Sequence, residues 1–229
     1  EMSASLVGSE MCIRDSSLYA QYQILLDNLE YHLLGNHLLE DAFSLLWAGL
    51  YFKDEPIYQK AKGLLLRELE EQLLPDGAHY EQSPMYHCIL LDRLLDCYNV
   101  SVNNLRFIGQ EGLNERLREK AGGMLGHLAS VVYKDNTIPL LNDSAEGIAP
   151  SPTQLFAYAK RLDMDWEKLP MGACGYRKLM AGHWEAIVDV GDIRASYQPG
   201  HSHADTFNYE LRIGGKPFVC LLYTSPSPR

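Results

Sequence analysis

The chain has 229 residues, 46% of them hydrophobic, and carries 20 Lys and Arg against 30 Asp and Glu, a formal net charge of −10. No run of about eighteen apolar residues occurs, so no membrane span is expected, and no Lys/Arg cluster offers a footprint for nucleic acid. The length suits one large domain or parts of two, and nothing in it fixes an oligomeric state.

The two ends are related to each other. Cys220–Arg229 reads CLLYTSPSPR and Leu6–Asp15 reads LVGSEMCIRD. One DNA string encodes the first, and its reverse complement, read in another frame, encodes the second. The string matches a transposon-type sequencing adapter. Residues 1–16 and 220–229 are therefore expected to be adapter-derived and are set aside from fold reasoning. The natural segment is then expected to run from about Ser17 to Val219, as a fragment without its own termini. Of five cysteines, Cys12 and Cys220 fall in those ends. Cys88, Cys97 and Cys174 are odd in number and irregularly spaced, which speaks against a disulfide framework or a zinc ribbon and suits buried small hydrophobes.

The first three quarters read as helices. His37–Phe52, HLLEDAFSLLWAGLYF, repeats apolar residues at three- and four-residue spacing, with Asn36 as the expected N-cap behind Gly35. Glu55–Leu74 is a second helix, with Pro56 tolerated in its first turn. Pro75–Gln82 is a loop, and Ser83-Pro84 starts a third helix that ends near Cys97. Gly112–Tyr133 is a fourth. The loop KDNTIPLLNDSAEGIAPSP is long enough to imply a task, and Ser151-Pro152 opens a short fifth helix to about Leu162.

From about Met171 the period changes to two. CGYRKLM, HWEAIVDV and IRASYQ, separated by Ala181-Gly182 and Gly191-Asp192, predict an antiparallel meander. In DTFNYELRI, Phe207, Tyr209, Leu211 and Ile213 share one face, while Thr206, Asn208, Glu210 and Arg212 share the other. Gly214-Gly215 is a tight turn into KPFV. Helices followed by strands imply an α+β chain of two units, 17–170 and 171–219. Because the return strand runs into the second adapter stretch, its edge is expected to be unpaired and the 229-residue chain inactive or poorly folded.

Several residues suit chemistry. In GHSH, His201 and His203 project to one side if the segment is extended, a spacing that suits a metal such as zinc, catalysis, or an ordinary turn. Asn36 and His37 sit at a helix start, whose free N–H groups and dipole can hold a carboxylate. Capping alone also accounts for Asn36. DGAHYEQSPMYH supplies Tyr86 at another helix start, where the positive dipole end favours the ionised phenol and suits it to proton transfer.

EYHLLGNHLLEDA, DGAHYEQSPMYH, PLLNDS and PGHSHADTFNYEL, in that order, are similar to signature stretches of the heparinase II/III family of polysaccharide lyases, which includes oligoalginate lyases. The resemblance covers about residues 29–219. It implies an incomplete (α/α) toroid of helical hairpins followed by the start of an antiparallel β-sandwich. It also implies β-elimination at a uronic acid: the C6 carboxylate is neutralised, the C5 proton is removed and the O4 leaving group is protonated. Matched position by position, Asn36 and His37 fall where the family neutralises the carboxylate, Tyr86 at its catalytic tyrosine and His201 at its catalytic histidine. His203 matches a histidine that binds a structural zinc in several members, whose further ligands fall beyond KPFV. His79, Tyr80, Glu81 and His87 are the expected substrate-binding residues. The expected partner is an anionic uronate polymer, and a periplasmic or secreted location follows from the family alone.

Two other readings stay open. A glycoside hydrolase on an α/α-barrel needs two carboxylates, for which Glu81, Asp76 and Asp143 are candidates. A non-catalytic carbohydrate-binding protein would stack sugars on Trp47, Trp166 or Trp184, although Trp47 sits in a helical pattern that favours packing.

Overall fold

The structure is a computed structural model that describes residues 2–197, 199–203 and 207–220, with side chains from residue 11 onward. Among these residues, helices α1 (Met2–Asp27), α2 (Gly35–Phe52), α3 (Glu55–Gln72), α4 (Pro84–Val102), α5 (Gln110–Val131) and α6 (Pro152–Arg161) precede one sheet. The sheet holds β1 (Tyr176–Ala181), β2 (Trp184–Asp189), β3 (Tyr209–Ile213) and β4 (Lys216–Val219), in the order β1-β2-β3-β4 with antiparallel neighbours.

Amphipathic spacing builds the helical layer. Leu38, Leu45 and Leu46 of α2 meet Leu64 and Leu65 of α3, Leu91, Leu94 and Leu95 of α4, and Leu117 and Leu125 of α5 in one buried cluster. α2 and α3 form one hairpin and α4 and α5 another, with α2 lying on α4. Gly49 permits the close approach of α3, since a Cβ there would lie 2.7 Å from the Tyr58 amide nitrogen. The helix starts are chemically marked. The Asp54 carboxylate accepts from Ile57 N at 3.0 Å and the Ser83 hydroxyl from Tyr86 N at 3.3 Å, and Ser151 forms a reciprocal capping box with Gln154.

Three expectations are corrected. Asn36 is not an N-cap: α2 begins at Gly35 behind Leu34, which offers no capping side chain. The IRASYQ segment is not a strand, because β2 pairs directly with β3 and residues 191–197 run as an irregular connection. Helix α1 runs through residue 16, and Tyr51 donates to Asp15 at 3.0 Å while Tyr19 donates to Asp54 at 2.9 Å. Trp47 is 43% exposed despite its helical pattern. Gln198, Thr206 and residues 221–229, which carried parts of the strand and adapter expectations, lie outside the described residues.

The alternation in β3 is real, but the polar face is the inward one. Glu210 is 4% exposed and Arg212 is buried, whereas Tyr209 is 47% exposed. Glu210 Oε2 accepts from Tyr133 Oη and Leu140 N, both at 3.0 Å. The Arg212 guanidinium lies 4.0 Å from the Tyr133 ring centroid and donates to Asp135 at 2.6 Å. In β1 and β2, Lys178 and Glu185 form a 3.0 Å ion pair on the same inward face. A sheet seated on helix ends and loop carbonyls meets polar groups, so it buries polar partners.

Candidate active site

The starts of α2 and α4 meet the long loop 134–151 and the segment 199–203 at one place. Asn36 is the centre. Its backbone N–H donates to Glu81 Oε1 at 3.0 Å and its side-chain amide to Glu81 Oε2 at 2.7 Å. The same Nδ2 lies 3.1 Å from His201 Nε2. His201 Nδ1 lies 3.1 Å from Asp143 Oδ2. An amide NH2 only donates and a carboxylate only accepts, so this pattern fits one tautomer: His201 carries its proton on Nδ1 and turns the Nε2 lone pair toward Asn36. The Tyr86 ring stacks on the imidazole, with centroids 3.9 Å apart and planes 30° apart.

The local backbone makes this possible. Gly35 has φ +57°, and a Cβ there would collide with Glu81 Oε1. Only glycine both turns the chain into α2 and leaves room for the carboxylate that grips Asn36. Gln72, fully buried, donates to Gly35 O at 2.8 Å and faces His79 Nε2 at 2.9 Å. The His201 segment is tied to the long loop by Asp143 N to His201 O at 3.1 Å and His203 N to Asn142 Oδ1 at 3.0 Å. Ser83, the cap of α4, donates to Asp143 O at 2.9 Å, so the Tyr86 helix and the His201 loop share one anchor.

Electrostatics separates the two reactive side chains. Burial, then the negative charges of Asp143 and Glu81, push the Tyr86 phenol above its ordinary range. This reverses the expectation that the helix dipole favours tyrosinate: desolvation and two carboxylates outweigh the helix end. Tyr86 is therefore held as a proton donor beside an imidazole whose Nε2 can accept.

The other predicted residues are distributed unevenly. His37 is exposed and pairs with Glu30 at 3.2 Å; it makes no contact with the Asn36–His201 pair. Tyr80 hydrogen-bonds Tyr197 and lines a cleft of about 380 Å³ with Glu71 and Arg194. Glu81, His79 and His87, the expected substrate-binding residues beside Tyr80, are buried. Glu81 anchors Asn36. The His79 amide donates to His87 Nδ1 at 3.3 Å, and His87 Nε2 bonds Met124 O at 3.0 Å. Burial holds both rings neutral, with the His87 pKa lowered to about 3.

His203 is exposed and belongs to no group of three donor side chains among the described residues. The further ligands expected beyond KPFV lie outside the described residues. Asp76 is buried and accepts from Gly172 N and Cys174 N at 3.0 and 2.9 Å, so it does not pair with Glu81 across a cleft as a hydrolase would require. Trp166 stacks on Phe156, and Trp184 is exposed on the outer face of the sheet. Sequence reasoning missed Gln72, which has no motif, and weighed Asp143 only as a hydrolase acid, although it lies in the quoted PLLNDS stretch.

The family model for the heparinase II/III N-terminus matches residues 14–164, and that for the heparinase II/III-like C-terminal region matches residues 163–220. A heparin-sulfate lyase of Pedobacter heparinus is 30% identical over 209 residues, which is 81% of this chain and 31% of the relative. A heparin-sulfate lyase of Bacteroides stercoris is 28% identical over 118 residues, 50% of this chain and 17% of the relative. The solved heparan sulfate lyase HepC from Pedobacter heparinus has TM-score 0.63 at 22% identity, covering 88% of this chain and 34% of that one. Heparinase III has TM-score 0.65 at 19% identity, covering 88% and 36%. The fold is thus the one the resemblance implied, part of an (α/α) toroid followed by antiparallel strands, and this chain spans about a third of those relatives' length. With its two regions matched in order across residues 14–220, the chain belongs to the heparinase II/III-like family.

Proposed function

We propose that the whole protein carrying this sequence is a polysaccharide lyase that cleaves a heparan-type uronic-acid polymer by β-elimination. The observation that supports it most is the meeting of Asn36, Tyr86 and His201, from two helix starts and a loop of the sheet unit, within hydrogen-bond and ring-stacking distance.

In this reading the Asn36 amide turns from His201 to the C6 carboxylate of the bound uronate and offsets the charge that builds there. His201 Nε2 takes the C5 proton. The C5–H electrons form the C4=C5 bond as the C4–O4 bond breaks, and Tyr86 gives its phenolic proton to O4. The imidazolium and tyrosinate left side by side restore each other by proton transfer. Asp143 holds the His201 tautomer and Glu81 holds Asn36, so neither needs to touch the sugar. A sulfated glycosaminoglycan is the favoured substrate because both curated relatives above are named heparin-sulfate lyases. A periplasmic or secreted location suits a polymer too large to cross a membrane.

The test uses the full-length protein and heparan sulfate. Turnover should generate an unsaturated uronate that absorbs in the ultraviolet. Tyr86→Phe should lower kcat by about 10²- to 10⁴-fold with little change in KM, as expected for a group acting in the transition state. Unchanged turnover removes Tyr86 from the mechanism, and new reducing ends without ultraviolet absorbance replace the lyase with a hydrolase.

A further inference from the structure

Away from the Asn36–His201 cluster, three side chains of different chemistry meet where the helical layer hands over to the sheet. Asp76 comes from the loop after α3, His127 from α5, and Cys174 from the link into β1. One donor atom from each lies within 4.8 Å of the other two, and all three residues are buried. We propose that Asp76, His127 and Cys174 form a binding site for one zinc-class divalent cation, which fastens the link before β1 to the helical layer.

The state of each donor supports this. His127 is 4% exposed, and its Nδ1 has no hydrogen-bond partner among the described residues. A buried imidazole nitrogen without a hydrogen-bond partner, in a ring grouped with a carboxylate and a thiol, suits metal ligation. Burial keeps that ring neutral, as a ligand must be. A buried acceptor left unsatisfied is otherwise destabilising.

Asp76 and Cys174 are already joined. The Cys174 amide donates to Asp76 Oδ2 at 2.9 Å, and a donor atom of each side chain lies within 4.8 Å of the other. A divalent cation entering there breaks the S–H bond, forms a metal–sulfur bond and releases one proton to solvent. One thiolate and one carboxylate then balance the two positive charges, so the buried site is neutral overall, as the cost of burying charge demands. A cavity of about 10 Å³ lies against His127 and Cys174, about the size of one water. Thiolate with imidazole selects zinc over magnesium or calcium.

The test is cobalt and zinc binding to the 229-residue chain with Cys12 and Cys220 changed to Ser. Cobalt should bind at one equivalent and give a thiolate-to-metal absorption band in the near ultraviolet. Zinc should raise Tm and release a proton on binding. All of these signals should vanish in Cys174→Ser and in His127→Gln, and persist in His203→Ala. His127→Gln keeps the thiol, so loss of the band in a variant with unchanged circular dichroism speaks for ligation and not for misfolding. Absence of the band in the parent chain, or its persistence in folded Cys174→Ser, overturns the proposal and leaves a buried thiol grouped with a carboxylate.

Discussion

The helical layer and the sheet solve the same problem with opposite faces. Along α2 and α4 the leucines point inward and the interior is apolar. Under β3 the inward residues are Glu210 and Arg212, while Phe207 and Tyr209 point outward. Helices that pack on helices exclude water by matching apolar stripes. The sheet instead rests on Tyr133, Asp135 and Leu140, where a phenol, a carboxylate and a backbone amide need partners. Periodicity tells which residues share a face; the element on the other side decides which face is buried.

The largest effect should come from the apolar interior. Leu45→Ala, at a fully buried position of α2, should destabilise the chain by about 2–5 kcal/mol in denaturant unfolding, through lost transfer energy and the cavity left behind. A loss near zero would mean that the helical layer is not a packed core. Next is the polar interior. Glu210→Ala strands the Tyr133 hydroxyl and the Leu140 amide and should cost about 1–3 kcal/mol. A neutral or stabilising result would show that the sheet does not need its polar underside.

The buried histidines give the comparison a pH axis. Burial holds His79 and His87 neutral in the folded chain, so the unfolded chain takes up protons first. Their contribution is complete above the ordinary histidine pKa of about 6.5. It is lost as pH falls from there toward the folded value, about 3 for His87. Stability should fall by about 1.4 kcal/mol per pH unit for each ring in that window, and His87→Gln should remove one such share from the slope. A flat profile between pH 6.5 and 5 would mean that the rings are solvated. The smallest effect belongs to the outer face: Trp184→Thr, at a 45% exposed position, should change stability by no more than about 0.5 kcal/mol.

Much of this was legible in the chain itself. The apolar spacing of α2 to α5, the Ser83 and Ser151 starts and the two-residue period of β1 to β3 predict most elements near where they lie, because each rests on local chemistry. The orientation of β3 was not legible, because the partners of Glu210 and Arg212 lie 70 to 77 residues earlier. At the site, three of the four residues expected to do chemistry, Asn36, Tyr86 and His201, come together, while His37 turns to Glu30. The residues that hold them were misjudged. Glu81 looks like a surface acid in DGAHYEQ until Gly35 brings Asn36 against it, and no local pattern marks Gln72. The Tyr86 phenol was assigned the wrong direction because a helix end is visible in sequence, whereas desolvation and two approaching carboxylates are not.

His201 belongs by sequence to the sheet unit, yet its main chain is moored to Asp143 and its neighbour His203 to Asn142. The imidazole is therefore tied to the loop that also anchors the start of α4. Damage to the 140–144 loop should then silence turnover while every strand still pairs, which makes that loop, more than the strands, the mechanical seat of the chemistry.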